Sequence, residues 1–180
     1  MVTLTACTFH IQPAVPDPPP LAKNATLLNC RALLLVPEEF ANREYISSFD
    51  GREIRLKAGP PAAKSLEMLI RSRVANVERI YAAGDGTLEF IRLSSDHRFN
   101  APLILRPRFT RLESSVRGFR YNVEFGIALD VVGLSSLVTP SGTGVGSTSL
   151  YVQSEIQRAA DTALSQAIAS IAAAFPSSCR

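Results

Sequence analysis

The chain has 180 residues, of which 46% are hydrophobic and 19% are charged. These values are typical of one ordinary globular domain and exclude a disordered protein. The net charge of +3 is too small to indicate a nucleic-acid partner. No stretch approaches the roughly 18 apolar residues of a membrane-spanning helix, so we expect any membrane attachment to come from a lipid anchor or from a surface.

The tetrapeptide Leu4-Thr5-Ala6-Cys7 resembles the lipobox of bacterial lipoproteins, in which the cysteine is lipidated and becomes the first mature residue. A secretory signal needs a basic segment and an apolar core of about 7–15 residues, and Met1–Thr3 supplies neither. Two interpretations stay open. Either the start codon lies farther upstream, or the tetrapeptide is accidental and the protein is cytoplasmic. The first, which we favour, predicts lipidation of Cys7 and a location at the periplasmic face of the outer membrane.

A proline-rich segment, Pro13–Pro20, follows the tetrapeptide. Proline fixes φ and lacks an N–H, so this segment favours an extended polyproline II conformation that would hold a domain away from a bilayer. An ordinary flexible N-terminus has the same composition. The sequence therefore predicts a lipobox-like start and tether over residues 1–26, followed by a single domain over residues 27–180.

The domain opens with strand patterns. Leu27–Val36 is an apolar run that stops at Pro37 and has the length of a buried strand. Two further strand-like runs, 45–49 and 52–56, flank Asp50-Gly51. An Asp-Gly pair favours a tight hairpin turn, because both turn residues must adopt positive φ. We expect one strand followed by a β-hairpin.

A helix is predicted next, with proline in its first turn at Pro60 and Pro61. Its apolar stripe recurs at helical spacing and consists of Leu66, Leu69, Ile70, Val74 and Val77. Strand-like runs over 77–81 and 88–93 then flank a second pair, Asp85-Gly86. This pattern predicts a second hairpin.

The second half of the chain predicts two extended segments and a helix. Residues 103–112 look extended, and Pro107 within them indicates an edge strand or a bulge. Residues 121–131 alternate apolar and polar side chains, which predicts a strand with one buried face. Gly133–Ser149 is small and polar, so we expect a loop. A helix then runs from Val152 to Pro176, and its alanine-rich side should pack closely on the sheet.

This order of elements predicts an α+β domain in which two helices pack on one face of a mostly antiparallel sheet. With a cysteine and a spacer in front, it resembles small outer-membrane lipoproteins of the curli-secretion, exopolysaccharide-secretion and peptidoglycan-synthase-activator types. Only Leu4-Thr5-Ala6-Cys7 matches at residue level. The resemblance implies a non-enzymatic accessory or assembly subunit of an envelope complex, with protein partners and a capacity to form homo-oligomers. The alternative is a soluble ligand-binding or enzymatic domain with an accidental lipobox.

The cysteines predict a disulfide. The chain has three, and lipidation of Cys7 leaves Cys30 and Cys179 as the remaining thiols. The periplasm is oxidising, and a helix returning over the sheet would bring Cys179 near the first strand. The alternative is two unrelated cysteines.

Candidate binding residues are arginines. Arg106, Arg108 and Arg120 are expected to share a sheet face and to bind an anionic partner, such as lipid phosphates, lipopolysaccharide or a carboxylate-bearing glycan. The alternative is a solvated sheet face. We predict no catalytic residues, no cofactor and no metal site. Ser94, Asp96 and His97 are adjacent in sequence, whereas the members of a catalytic triad come from separate parts of a fold.

Overall fold

A computed structural model describes residues 8–21, 26–49, 51–95, 103–117, 120–133, 137–149 and 151–179. Its elements, in chain order, are β1 (Thr8–Ile11), β2 (Leu28–Pro37), α1 (Glu38–Ala41), β3 (Glu44–Phe49), β4 (Arg52–Lys57), α2 (Gly59–Arg71), β5 (Val74–Ala82), α3 (Thr87–Ser95), β6 (Leu103–Arg117), β7 (Arg120–Val132), β8 (Leu137–Val138), β9 (Ser141–Thr148) and α4 (Gln153–Ala173). No helix in these ranges is long and apolar enough to cross a bilayer.

The strands form two sheets. The larger has the order β5-β2-β6-β7-β8, with β9 also paired to β7, and the smaller has the order β1-β4-β3. The α+β class is confirmed. The sheets are mixed, however, because β2 runs parallel to β5 and β6, and β1 runs parallel to β4. Hairpin signals in the sequence are local, so they do not show parallel pairing between distant strands.

Both faces of the larger sheet are covered by helices. α2 and α4 share the main core, which includes Leu34, Phe125 and Leu164. α3 lies on the opposite face, where Phe90 packs with Leu33. Adjacent residues of a strand point to opposite faces, which is why Leu33 and Leu34 belong to different clusters. Two helices do lie on one face, as predicted, and a third covers the other.

The run 88–93 is a helix, and the prediction of a strand there is wrong. Both Asp-Gly pairs provide a glycine at positive φ, with +71° at Gly51 and +70° at Gly86. Only the first joins two antiparallel strands. After Gly86 the buried residues, Phe90 and Leu93, are three apart, which is helical spacing.

α2 ends earlier than its apolar stripe predicts. Val74 and Val77 belong to β5. The hydroxyl of Ser72 donates a 2.7 Å hydrogen bond to the carbonyl of Leu69. This bond satisfies one of the free carbonyls at the end of the helix.

The segment Gly133–Ser149 was expected to be a loop but contains β8 and β9. In β9, three buried glycines alternate with exposed residues. A Cβ atom on Gly142, Gly144 or Gly146 would lie 2.0, 1.9 or 1.7 Å from a main-chain oxygen of α4. α4 therefore packs directly on the backbone of β9, which confirms the predicted close packing of its alanine-rich side.

The start of the described chain is packed against the domain. β1 joins the smaller sheet, beside β4. The main-chain N–H of Gln12 donates to Gln157 Oε1 at 3.1 Å, and that of Ala14 donates to Asp161 Oδ1 at 2.8 Å. Residues 8–14, which the sequence analysis assigns to the tether, are therefore held along α4.

β6 and β7 form a long hairpin that extends past β2. Only residues 103–105 of β6 pair with β2, whereas β6 and β7 stay paired out to Arg117 and Arg120. Pro107 lies beyond the last residue of β6 that pairs with β2. Its missing N–H therefore removes no hydrogen bond between β6 and β2. A register shift follows over 109–111, in agreement with the predicted bulge.

Several elements begin near the last described pair of this hairpin, Arg117 and Arg120. Thr148 of β9 pairs with Tyr121 near the tip. The side chain of Gln153, at the start of α4, donates a 3.1 Å hydrogen bond to the carbonyl of His10. Thr8 lies two residues before His10 in β1, opposite Glu53 near the start of β4. We call this region, where β1, β4 and α4 begin, the hairpin-tip end.

Candidate functional site

A cleft opens where β2 and β5 end at the carboxyl edge of the parallel strands. Ligands of open α/β sheets commonly bind at this edge, because loops from several strands meet there. The cleft has a volume of about 240 Å³ and is lined by Pro37, Glu39, Phe40, Arg43, Asp85, Pro107, Arg108 and Phe109. We call it the carboxyl-edge cleft.

The carboxyl-edge cleft combines an aromatic wall with two cations. The rings of Phe40 and Phe109 stack with centroids 4.6 Å apart. Arg43 is exposed, and the Arg108 side chain is 48% exposed, with Nε 3.4 Å from Asp130 Oδ1. Arginine binds carboxylates and phosphates through paired hydrogen bonds. The cleft can therefore hold a ligand that combines an anionic group with an apolar body. Glu39 and Asp85 also line the cleft and would repel a ligand that carries only negative charge.

Behind the cleft, Arg106 holds two elements together. Its side chain is only 15% exposed, and Nη2 lies 2.7 Å from Asp130 Oδ2. Nη1 donates a 2.5 Å hydrogen bond to the Thr87 hydroxyl at the start of α3. The guanidinium also lies 4.8 Å from the centre of the Phe90 ring. Arg106 thus joins β7 to α3 and is not exposed to a partner.

Asp85 shapes the turn that leads into α3. The Thr87 hydroxyl and main-chain N–H donate hydrogen bonds of 2.5 and 2.9 Å to its two carboxylate oxygens. These bonds hold the pKa of the Asp85 carboxyl below its usual value. The bond from the hydroxyl has the larger effect, the bond from the N–H has the next, and the charge of Arg106 adds to both. The carboxylate therefore stays ionised at the rim of the cleft at neutral pH.

The three arginines predicted to share a sheet face do not form one surface. Arg106 is enclosed, and Arg108 lines the carboxyl-edge cleft. Arg120 lies at the hairpin-tip end, ten residues along β7 from Asp130, which is about 33 Å at the rise of a strand. It shares a second, polar pocket with Ser147, Thr148, Ser149, Glu155 and Arg158. The long hairpin separates Arg120 from Arg106 and Arg108, and binding of an anionic partner by Arg108 and Arg120 stays a prediction.

The cysteine candidates have two different outcomes. Cys7 lies outside the described residues. Cys30 and Cys179 are joined by a disulfide, with 6.4 Å between their Cα atoms. Cys30 lies near the start of β2, and Cys179 follows α4 at the end of the domain opposite the hairpin tip.

Neither Arg43 nor Asp85 was predicted as a site residue. Arg43 follows the short α1, and its only sequence signal was a charge in a polar stretch. Asp85 was interpreted as a hairpin residue, although an Asp two residues before a Thr is also a helix-start signal. No group of three or more metal-ligating side chains occurs within the described ranges.

Comparisons with known proteins find similarity among solved structures only. No protein-family model matches it, and neither does any curated protein. Among solved structures, it is similar to a chain of a PelC variant dodecamer from Paraburkholderia phytofirmans. The TM-score is 0.41 and the identity 13%, over 85% of this chain and 95% of the other. A likeness at this level transfers no function.

Proposed function

We propose that this chain is a non-enzymatic envelope lipoprotein, anchored through Cys7 and facing the periplasm from the outer membrane. It serves as an accessory or assembly subunit of a secretion, outer-membrane or cell-wall complex. The observation that carries the proposal is the link between Cys30 and Cys179, which closes a loop of 149 residues. Disulfides persist in oxidising compartments such as the periplasm and are rare in the cytosol.

The position of β1 supports attachment at the N-terminal side. Cys7 directly precedes Thr8, the first residue of β1. A lipid on Cys7 would therefore be attached one residue before β1, which begins at the hairpin-tip end. The carboxyl-edge cleft, at a distance from that end, stays accessible to partners in the periplasm.

The partners of this subunit are proteins of the same complex, together with anionic lipid or glycan groups. The cleft contributes Arg43 and Arg108 to such contacts, and the hairpin-tip end contributes Arg120. Charged residues at an interface mainly set specificity and the rate of association. The competing function is that of a soluble ligand-binding domain whose N-terminus carries no lipid.

Fractionation tests the attachment. With the protein expressed from its native locus, Cys7→Ser is expected to move it from the membrane fraction to the soluble fraction after a high-salt wash. The wash removes proteins held by surface charge alone. The matched control is Thr8→Ser, a conservative change beside Cys7 that keeps the thiol and should leave the fractionation unchanged. Membrane retention of the Cys7→Ser protein after the wash would contradict the proposal.

A further inference from the structure

We propose that the hairpin-tip end is a docking surface for the anionic headgroups of the bilayer. The inference rests on the proposed lipid anchor and adds the orientation of the domain on the membrane. Three observations carry it: the position of β1, the arginines at this end, and the apolar residues among them.

The first observation is the absence of a spacer between the anchor position and the packed domain. Strand pairing begins at Thr8, which lies opposite Glu53 of β4. Farther along, the carbonyl of His10 accepts a hydrogen bond from Gln153 at the start of α4. A lipid on Cys7 would therefore bring this end of the domain against the headgroups, whereas the proline-rich segment follows β1 and leads away from it.

The second observation is an excess of arginine at this end. Arg117 and Arg120 face each other as the last pair of the β6–β7 hairpin. Within the described part of the chain, neither has a carboxylate partner. Arg52, at the start of β4, donates a 3.2 Å hydrogen bond to the carbonyl of Tyr151 and lies 5.4 Å from the Phe9 ring.

The nearby carboxylates do not neutralise these arginines. In the described ranges, the carboxylates at this end are Glu53, which binds Arg55 at 2.5 Å, and Glu155, which forms an ion pair with Arg158. Among the described residues, Arg52, Arg117 and Arg120 therefore form no ion pair with a carboxylate. Each arginine near an anionic membrane contributes about 1 kcal/mol to binding.

The third observation is the mixture of apolar and basic side chains. Val116 and Val152 are 40% and 49% exposed. Val116 directly precedes Arg117, and Val152 directly follows Tyr151, whose carbonyl binds Arg52. Surfaces that combine basic and apolar residues bind at the headgroup boundary of a bilayer. A lipid chain and a basic surface together give stable attachment, whereas a single signal gives reversible binding.

Vesicle binding tests this surface apart from the lipid. The full chain with Cys7→Ser is sedimented with vesicles of phosphatidylcholine, with and without phosphatidylglycerol. We expect binding to the anionic vesicles only, and weaker binding at higher salt. Adding Arg117→Ser and Arg120→Ser should lower the partition coefficient for the anionic vesicles about 30-fold. This factor corresponds to the loss of two arginines at about 1 kcal/mol each.

The matched control adds Arg31→Ser and Arg71→Ser, which remove the same charge at the opposite end of the domain, where their side chains are 44% and 51% exposed. It should retain most of the binding. An equal loss in both variants, or equal binding to neutral vesicles, would overturn the inference. If the wild-type protein carries no lipid while the two variants still differ, the docking surface stands and the proposed anchor fails.

Discussion

Arg106 and Arg108 lie two residues apart on the same side of β6, but their environments differ. Arg106 is 15% exposed and is held by Asp130 and Thr87, whereas Arg108 is 48% exposed and makes one long contact with Asp130. An enclosed ion pair cannot lose one partner without leaving the other charge desolvated. An exposed pair contributes little.

Alanine substitutions should separate the two arginines. We expect Arg106→Ala to lower the free energy of unfolding by about 3 kcal/mol, because the Asp130 carboxylate is left enclosed without its main partner. Arg108→Ala should lower it by less than about 1 kcal/mol. Urea denaturation of both variants measures the difference. Equal losses, or a larger loss for Arg108→Ala, would contradict the assignment of Arg106 to the interior.

The role of Arg106 was not predictable from its own strand. Alternation along β6 places Arg106 and Arg108 on one face, which the sequence shows correctly. Enclosure of Arg106 depends on Asp130 and Thr87, which arrive from β7 and α3. The register between β6 and β7 places Asp130 beside Arg106, and the turn at Asp85 places Thr87 there. The residues around Arg106 in the sequence indicate neither the register nor the turn.

At the scale of elements, the contact between β9 and α4 depends on matched spacing. Two residues of a strand advance about 6.6 Å and four residues of a helix about 6.0 Å. The buried glycines of β9 recur every two residues, and the α4 residues opposite them recur every four, as Ala159, Ala163 and Ala167. The absence of side chains on the strand lets the helix lie on its backbone.

A methyl group in this interface should be costly. A Cβ on Gly144 would lie 1.9 Å from the carbonyl oxygen of Ala163, so one element must move. We expect Gly144→Ala to destabilise the domain by about 3 kcal/mol, the upper end of the range for overpacking. The neighbouring exposed residue provides the control, and Thr143→Ala should change stability by less than about 1 kcal/mol. Similar thermal midpoints for the two variants would show that α4 does not pack on this backbone.

The glycines also explain why β9 was missed. Alternating glycine, serine and threonine are typical of loops, and glycine is depleted in strands. The alanine-rich side of α4 predicted a close neighbour but did not identify it. By contrast, β2, the β3–β4 hairpin, α2 and β7 were predictable, because their apolar periodicity and turn residues are local signals.

At the scale of the whole molecule, the two ends of the domain differ in structure. The end with Cys30 and Cys179 is closed by the disulfide, and a loop of 149 residues corresponds to on the order of 5 kcal/mol in the chain-entropy model. The hairpin-tip end carries the start of β1 together with Arg52, Arg117 and Arg120. The composition predicted a single domain. The difference between its two ends was not predictable, because it depends on the parallel pairing of β1 with β4, for which the sequence has no local signal.

The intact mass of the protein extracted from native membranes tests the central claim most directly. We expect a chain that begins at a lipidated Cys7, and we expect Cys30 and Cys179 to react with an alkylating agent only after reduction. A protein whose Cys7 bears no lipid, or whose Cys30 and Cys179 are alkylated without reduction, would contradict an anchored periplasmic lipoprotein.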